Sequence, residues 1–397
     1  RGSGNSGFQI QVDSYQKKDK NLNLWGSFNY SNQKIHDVNF NESLDFDKVY
    51  PYVTTDTIGG DIAQEQYAIM GGFSKTLGSM TYAFESAFTG KQDTRSRDPR
   101  INNISTDFLI NLSASRALTA NYAVGLSVQG SRYMQKNKVS FNSEMGKPTL
   151  YHETGIGTYN RLFMGTLDEA NYLGHTYALK LQLAPKEQLG WFAHVDYQQT
   201  KLTKNLKDIS HVINTANKQQ LDLALAYKTQ LSTNGFLAAG ATYQNKHIAG
   251  IEGKFDNREA NVNLTLIAEE QLFSAIRNES QAYLSYQQLG TKDHFSTTLR
   301  MGYSDFVETY KAPLRQQEFT HLTMHGQVGW ARVLPKNFIS ASLGYTYVNP
   351  LSANFYWGDL SEMSLRQQML RNNYDYYNTA WSKIDFNSKY NIALEKA

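Results

Sequence analysis

The chain has no cysteine among its 397 residues. That removes disulfide frameworks and thiolate metal sites from consideration. It has no apolar run of about 18 residues or more, so no helix is long and greasy enough to span a bilayer. Proline is scarce, at 7 residues, and the excess of basic over acidic side chains is only +3. So small and dispersed a balance gives no argument for a nucleic-acid partner, and none is expected. A signal peptide is also lacking, and Arg1-Gly2-Ser3-Gly4-Asn5-Ser6-Gly7 reads as a processed, tagged or truncated start.

What the chain does have is two-residue alternation from end to end. Tyr122, Val124, Leu126 and Val128 alternate with Ala123, Gly125, Ser127 and Gln129. Side chains of a strand face opposite sides in turn, so such a segment is apolar on one face and small and polar on the other. The pattern returns in Phe8-Ile10-Val12, Leu22-Leu24-Phe28-Tyr30, Tyr67-Ile69-Phe73, Tyr82-Phe84-Phe88 and Phe108-Ile110-Leu112. It continues through Tyr177-Leu179-Leu181-Leu183, Trp191-Val195-Tyr197, Leu221-Leu223-Leu225-Tyr227, Leu299-Met301-Tyr303, Leu322-Met324-Val328-Trp330 and Ile384-Phe386-Tyr390-Ile392-Leu394. No amphipathic helix of comparable length interrupts it. A mean hydropathy of -0.54 fits, because only alternate residues need face lipid. The expectation is all-β: one domain, residues 1–397, forming a single antiparallel transmembrane barrel of about fourteen to sixteen strands. The count turns on whether Ala260-Val262-Leu264-Leu266 and Ala282-Leu284-Tyr286 are separate membrane strands.

The connections alternate in length. Those near 18, 77, 119, 186, 233 and 335 are short and rich in turn-forming residues; those near 36–60, 137–171 and 351–376 are long. Short periplasmic turns and long extracellular loops are the asymmetry of a bacterial outer-membrane barrel. Outward Tyr residues and Trp191 and Trp330 near strand ends suit headgroup-level girdles. A soluble solenoid or sandwich would need edge protection and shorter strands.

Candidates for chemistry are sparse. Glu85, Lys180, His194, Asp196, Asp222, Lys228, Arg300 and His325 fall on the inward parity and should line the lumen. His194 and Asp196 share that face two residues apart, a spacing that suits ordinary lumen polarity better than a metal or a base. No nucleophile, acid and base converge, so no catalytic residue, metal ligand or cofactor is assigned and the chain reads as non-enzymatic. Mixed lumenal charge argues for ion pairs rather than an ion-selective ring. Barrels this wide are not filled by wall side chains alone, so loops 137–171 and 351–376 are expected to narrow or plug the lumen. Loop rings, chiefly Tyr50, Tyr52, Phe355, Tyr356 and Trp357, are read as contact residues for a partner or large ligand, with packing of the loops on one another as the alternative.

Tyr50-Pro51-Tyr52 to Asp56, Gly59-Gly60-Asp61, Glu65-Gln66-Tyr67 and Gly71-Gly72 resemble a Bacteroidota outer-membrane β-barrel family of uncharacterised function. Asp98-Pro99-Arg100, Asp13-Ser14-Tyr15 and Trp25-Gly26-Ser27 with Tyr30 are similar to it as well. The resemblance covers roughly the first quarter in detail and the remainder in architecture. It implies an outer-membrane location and a setting beside TonB-dependent transport components, and it carries over no catalytic residue. The chain departs from proteobacterial barrels in ending Glu395-Lys396-Ala397 without a terminal aromatic. Three functions follow as expectations: an accessory or scaffold subunit of a TonB-dependent type nutrient-uptake complex, a passive porin-like channel, or a barrel hydrolase. Ring-rich loops favour the first. The partners expected are the lipid bilayer with lipopolysaccharide, and a TonB-dependent receptor or surface lipoprotein.

Overall fold

The computed structural model describes residues 2–143, 148–165, 168–207, 209, 211–256, 264–335, 337–358, 360 and 364–392. Strands dominate: β1 (Gly4–Lys17), β2 (Leu22–Val38), β3 (Thr54–Thr55), β4 (Gly60–Leu77), β5 (Met80–Thr94), β6 (Arg100–Ala117), β7 (Tyr122–Ser140), β8 (Tyr151–Gly155) and β9 (Thr158–Tyr159). They continue as β10 (Glu169–Pro185), β11 (Gly190–Leu206), β12 (Asn214–Ser232), β13 (Gly235–Asp256), β14 (Thr265–Leu289), β15 (Asp293–Lys311), β16 (Leu314–Val333), β17 (Asn337–Tyr356) and β18 (Trp381–Ile392). Two α-helices, α1 (Phe46–Val49) and α2 (Leu365–Tyr377), and one 3-10 turn at Arg161–Phe163 complete the set among the described residues.

Fifteen strands form one antiparallel meander in the order β1-β2-β4-β5-β6-β7-β10-β11-β12-β13-β14-β15-β16-β17-β18. The three strands it skips make a small sheet of their own, β3-β8-β9. β14 settles the count: Leu266 and Ala282-Leu284-Tyr286 belong to one strand of 25 residues rather than to two. Ala260, Val262 and Leu394 lie outside the described residues. At one end of the sheet every connection is tight: 18–21, 78–79, 118–121, 186–189, 233–234, 290–292 and 334–336. The long connections 39–59, 141–168 and 357–380 all lie at the other end. β1 and β18 are the edges, and no pairing joins them among the described residues.

The faces follow the alternation. Phe8, Ile10, Val12, Ile69, Phe73, Leu112, Leu126, Val128, Leu179, Leu181, Leu225, Leu299, Met301, Val328, Leu343 and Phe386 are all exposed. Sixteen such residues on one face make a continuous apolar surface, far beyond the scattered exposure of a water-soluble monomer. Aromatic rings border it in two belts. Trp191 packs on Tyr227 at 4.9 Å near the tight turns, and Tyr30 packs on Tyr67 at 4.8 Å nearer the long loops.

The region around 351–376 departs from the expected loop. β17 runs on to Tyr356, and Leu365–Tyr377 is helical. Ser364 caps that helix by accepting a hydrogen bond from the Gln367 N–H at 3.2 Å. The Ser-x-x-Gln spacing is a capping-box signature.

The sheet curls. Asp45 accepts hydrogen bonds from Lys91 on β5, while Tyr50, five residues on, packs its ring 5.7 Å from Phe273 on β14. Seven strand steps separate β5 from β14, about 34 Å if the sheet were flat. A five-residue stretch containing a helical turn reaches about 8–18 Å. Only a sheet wrapped around this segment brings both strands to it. The buried core therefore lies on the concave face, near the long-loop end, rather than between two layers.

Candidate functional site

What fills the concavity is residues 39–60 together with 148–165. β3 pairs with β8 through Thr54–His152 and Thr55–Tyr151, which joins the two loops into one body. The first loop is fastened to the wall by charge and backbone. Glu42, fully buried, accepts from Arg95 at 2.8 and 2.7 Å through its two oxygens, and Asp56 approaches the same guanidinium at 3.8 Å. The Glu42 carbonyl takes the amide N–H groups of Asn103 on β6 and Asn137 on β7. Asp45, with φ of 51°, accepts from Lys91 at 2.6 Å, Ser105 at 2.9 Å and Tyr133 at 3.1 Å. Lys48 pairs with Asp107, and Lys218 of β12 donates to the carbonyls of Asp47 and Lys48.

Further round the wall the contacts become apolar. Val49, Tyr52 and Val53 join Tyr133, Tyr172, Leu202, Leu206 and Ile213 in one buried cluster. The Tyr52 hydroxyl donates to the Ile251 carbonyl at 3.0 Å, and its own carbonyl accepts from Tyr172 at 2.8 Å. Gly250 makes room for it: a Cβ there would lie 2.7 Å from the Tyr52 hydroxyl oxygen and 2.9 Å from the Phe273 side chain. The second loop reaches the remaining wall. Arg315 of β16 donates to the Ile156 carbonyl at 3.0 Å, and the Thr154 hydroxyl donates to the Tyr310 oxygen at 3.3 Å. Gly155 has φ of 114°, and a Cβ on it would sit 2.4 Å from the Phe273 ring, so only glycine fits.

Electrostatics inside this body are strained toward protonation. Burial, with Asp56 adding like charge, pushes the Glu42 carboxyl well up, and Arg95 pulls it back. Burial pushes Glu153 up to about 7 against the opposing pull of Arg366.

Above the second loop sits a ring shelf. Phe355 stacks on Trp357 at 4.0 Å and meets Tyr374 of α2 edge-on at 4.8 Å, with the Arg371 guanidinium 5.1 Å from the Phe355 ring. Leu370 ties α2 to Ile156, Phe273 and Tyr310. Three rings here stay open: Phe355 (40% exposed), Tyr356 (57%) and Tyr376 (53%).

The expected contact residues thus divide. Phe355 and Tyr356 are exposed. Tyr52 and Trp357 are not, at 0% and 4%, because each ring is spent on holding a loop to the wall. Tyr50 is half-buried between Phe46 and Phe273. None of these three offers a free ring face to a partner, which corrects the sequence reading. The expected lumenal set does share one face. Glu85 has the parity of Lys91, Lys180 that of Tyr172, His194 and Asp196 that of Lys204, and Asp222 and Lys228 that of Lys218. Arg300 has the parity of Tyr310, and His325 that of Arg315. Lys180 pairs with Asp196 at 3.3 Å, Glu85 accepts from the Trp25 indole at 3.0 Å, and His325 bonds Thr346 at 2.9 Å. Asp222 accepts from Gln220 at 2.6 Å, Lys228 lies 5.4 Å from the Phe236 ring, and Arg300 stands opposite His325 in register. The sequence does not single out the anchors Glu42, Asp45, Lys91, Arg95 and Lys204, the last of which donates to the Val53 carbonyl at 3.2 Å. Their one sequence signal is the charge on the inward parity of β5 and β11 above the apolar band.

The model of a family described as "Family of unknown function (DUF6850)" matches residues 1–397, so the chain belongs to that family. No curated protein matches the sequence. Among solved structures, the chain is similar to the siderophore receptor PiuA from Acinetobacter baumannii, at 9% identity and a TM-score of 0.44, covering 87% of this chain and 63% of that one. It is similar also to the ferric yersiniabactin uptake receptor FyuA from Yersinia pestis, at 8% identity and 0.39, covering 97% and 70%. A third is the open form of the ferric-catecholate import receptor Fiu from E. coli K12, at 8% and 0.39, covering 88% and 72%. The chain thus spans less than two thirds of PiuA, and likeness at this level says nothing of what it binds.

Proposed function

We propose that this member of DUF6850 is a bacterial outer-membrane β-barrel whose lumen is closed by its own loops, and that it works through its extracellular face as a non-enzymatic accessory of a nutrient-uptake complex. The outer surface supports the membrane reading: a continuous exposed apolar band bordered by aromatic belts, with tight turns at one end and long loops at the other. A bilayer leaves no strand edge unpaired, so the reading requires the β1 and β18 edges to be covered in the membrane.

The observation that carries the rest is the occupied concavity. Val49, Tyr52, Val53 and Phe163 are 4% exposed or less at its centre. A porin-like channel needs an open path there. A closed barrel presents its long-loop end as its working surface, and the exposed rings Phe355, Tyr356 and Tyr376 are the kind of group that anchors an interface. The partner class is a TonB-dependent receptor or a surface lipoprotein.

The test is purification from native membranes followed by planar-bilayer recording. The intact protein should show no large steady conductance, and replacing Phe355 and Tyr356 with Ala should release co-purifying subunits while heat-modifiable migration on gels is kept. Steady large conductance from the wild type would promote the channel reading, and an unchanged set of partners would remove the ring shelf from the interface.

A further inference from the structure

The outer wall carries a second surface on the β7–β10–β11 sector. Register places Arg132 directly beside His175, and His175 directly beside Lys201. All three side chains point to the apolar face and are exposed. Adjacent partners in a ladder lie about 4.5–5.5 Å apart, so the row spans about 10 Å. Its height is informative. Arg132 stands ten residues from Tyr122, His175 ten from Pro185 and Lys201 ten from Trp191, at the tight-turn end of each strand. Ten residues of strand tilted about 40° rise about 25 Å, the height of the apolar band of an outer-membrane barrel. Below the row the same face holds Leu126, Val128, Leu179, Leu181 and Val195, all exposed. The row therefore stands where acyl chains end and headgroups begin.

The row also lacks acids. Among the outward positions of β6, β7, β10 and β11 above the band, the one acidic residue is Glu169, and Lys136 pairs with it at 3.0 Å. On the β2–β4 sector, by contrast, Lys34 pairs with Asp61. Two cationic side chains flanking an imidazole at headgroup height, each one ladder step from it and with no acid beside the row, are complementary to a phosphate that is fixed to a lipid.

We propose that Arg132, His175 and Lys201 dock the phosphate groups of a phosphorylated glycolipid, of the lipid A type, in the leaflet at the long-loop end. The inference rests on the membrane reading above and adds to it a ligand and a place. Arg132 presents a fork of donors to phosphate oxygens, Lys201 a point charge, and His175 a ring N–H between them.

The full-length protein in neutral detergent tests this by native mass spectrometry and fluorescence titration. The probes are bis-phosphorylated lipid A and its dephosphorylated counterpart. Wild type should retain the phosphorylated lipid and not the other. The triple change Arg132→Gln, His175→Gln and Lys201→Gln should weaken retention by about tenfold or more. Lys34→Gln with His36→Gln, on a balanced sector, should leave it unchanged. Should the triple variant lose heat-modifiable folding, Lys201→Gln alone is read, together with the salt dependence of wild-type binding. Equal retention by the variants, or equal binding of dephosphorylated lipid, overturns the proposal while the membrane reading stands. Failure of the wild type to insert into lipid vesicles overturns both.

Discussion

Replacing Arg95 with Met should loosen the loop body that closes the concavity, and it should do so in a pH-dependent way. Among the described residues Arg95 is the cation paired with Glu42, which is fully buried and has Asp56 beside the same guanidinium. Without it, the cheapest state of the buried Glu42 is the protonated one. Its cost is set by the distance between the ambient pH and the ordinary carboxyl value of 4.5. At about 1.4 kcal/mol per pH unit that is about 4 kcal/mol at pH 7.5 and about 1.4 kcal/mol at pH 5.5. The upper figure agrees with the 3–5 kcal/mol typical of breaking one side of a buried pair. The sign is fixed by the direction of the shift. Because the closed state raises the carboxyl value above that of the open state, closure is favoured below 4.5 and penalised progressively as pH rises. Single-channel recording in planar bilayers reads the loop body directly. Arg95→Met should open frequently at pH 7.5 and rarely at pH 5.5; the wild type, whose Glu42 carboxyl is raised in the same sense but pulled back by Arg95, should open less often than the variant at pH 7.5 and shift in the same direction by a smaller amount. Adding Glu42→Gln and Asp56→Asn should restore closure, since removing every member of a buried charge cluster avoids the uncompensated group. Opening that is equally rare in Arg95→Met and wild type at pH 7.5, or that ignores pH, would refute the reasoning.

Leu179→Arg or Leu223→Arg, outward at mid-band, should each cost about 2–4 kcal/mol in unfolding from lipid, against much less for inward Asn111→Arg; equal costs would reverse the assignment of faces. Gly250→Ala should displace the Tyr52 ring, because the new methyl carbon falls 2.7 Å from its hydroxyl; protease cutting within residues 39–60 should rise. Glu153→Gln should make the loop body more resistant to that cutting at pH 8 and indifferent at pH 5, since the wild-type carboxyl, held up to about 7, costs closure as pH climbs from 4.5 toward that value. Amide exchange in lipid should find β1 and β18 as protected as interior strands; rapid exchange along either would contradict a closed barrel.

The strands were legible because their signal is local. A two-residue period in Tyr122-Val124-Leu126-Val128 states both the conformation and the face, and the register then carries that parity across the sheet. That is why Lys180, Asp196 and His325 could be placed on the inner face from the sequence alone. The alternation of tight and long connections was equally local. The merging of Leu266 with Ala282-Leu284-Tyr286 into β14 was not, since the pattern is the same for one long strand as for two short ones. The α2 helix has a readable start in Ser364-Leu365-Arg366-Gln367, but the polar, ring-rich stretch around it carries no helical period strong enough to separate it from loop.

The loop body was decided by tertiary structure. Glu42 meets Arg95, Tyr52 meets Ile251, and Ile156 meets Arg315, pairs separated along the chain by 53, 199 and 159 positions. No periodicity encodes such contacts. A tyrosine on a long loop has the same sequence environment whether it turns inward or faces outward, and Tyr52 turns inward because the wall offers a glycine-sized gap at Gly250 and the Ile251 carbonyl as an acceptor. The sequence by itself determined the strands, their faces and the end at which the loops lie. Only the curled sheet decided which loops enter the concavity, because its walls supply the buried charges and apolar pockets that repay the entropy of ordering them.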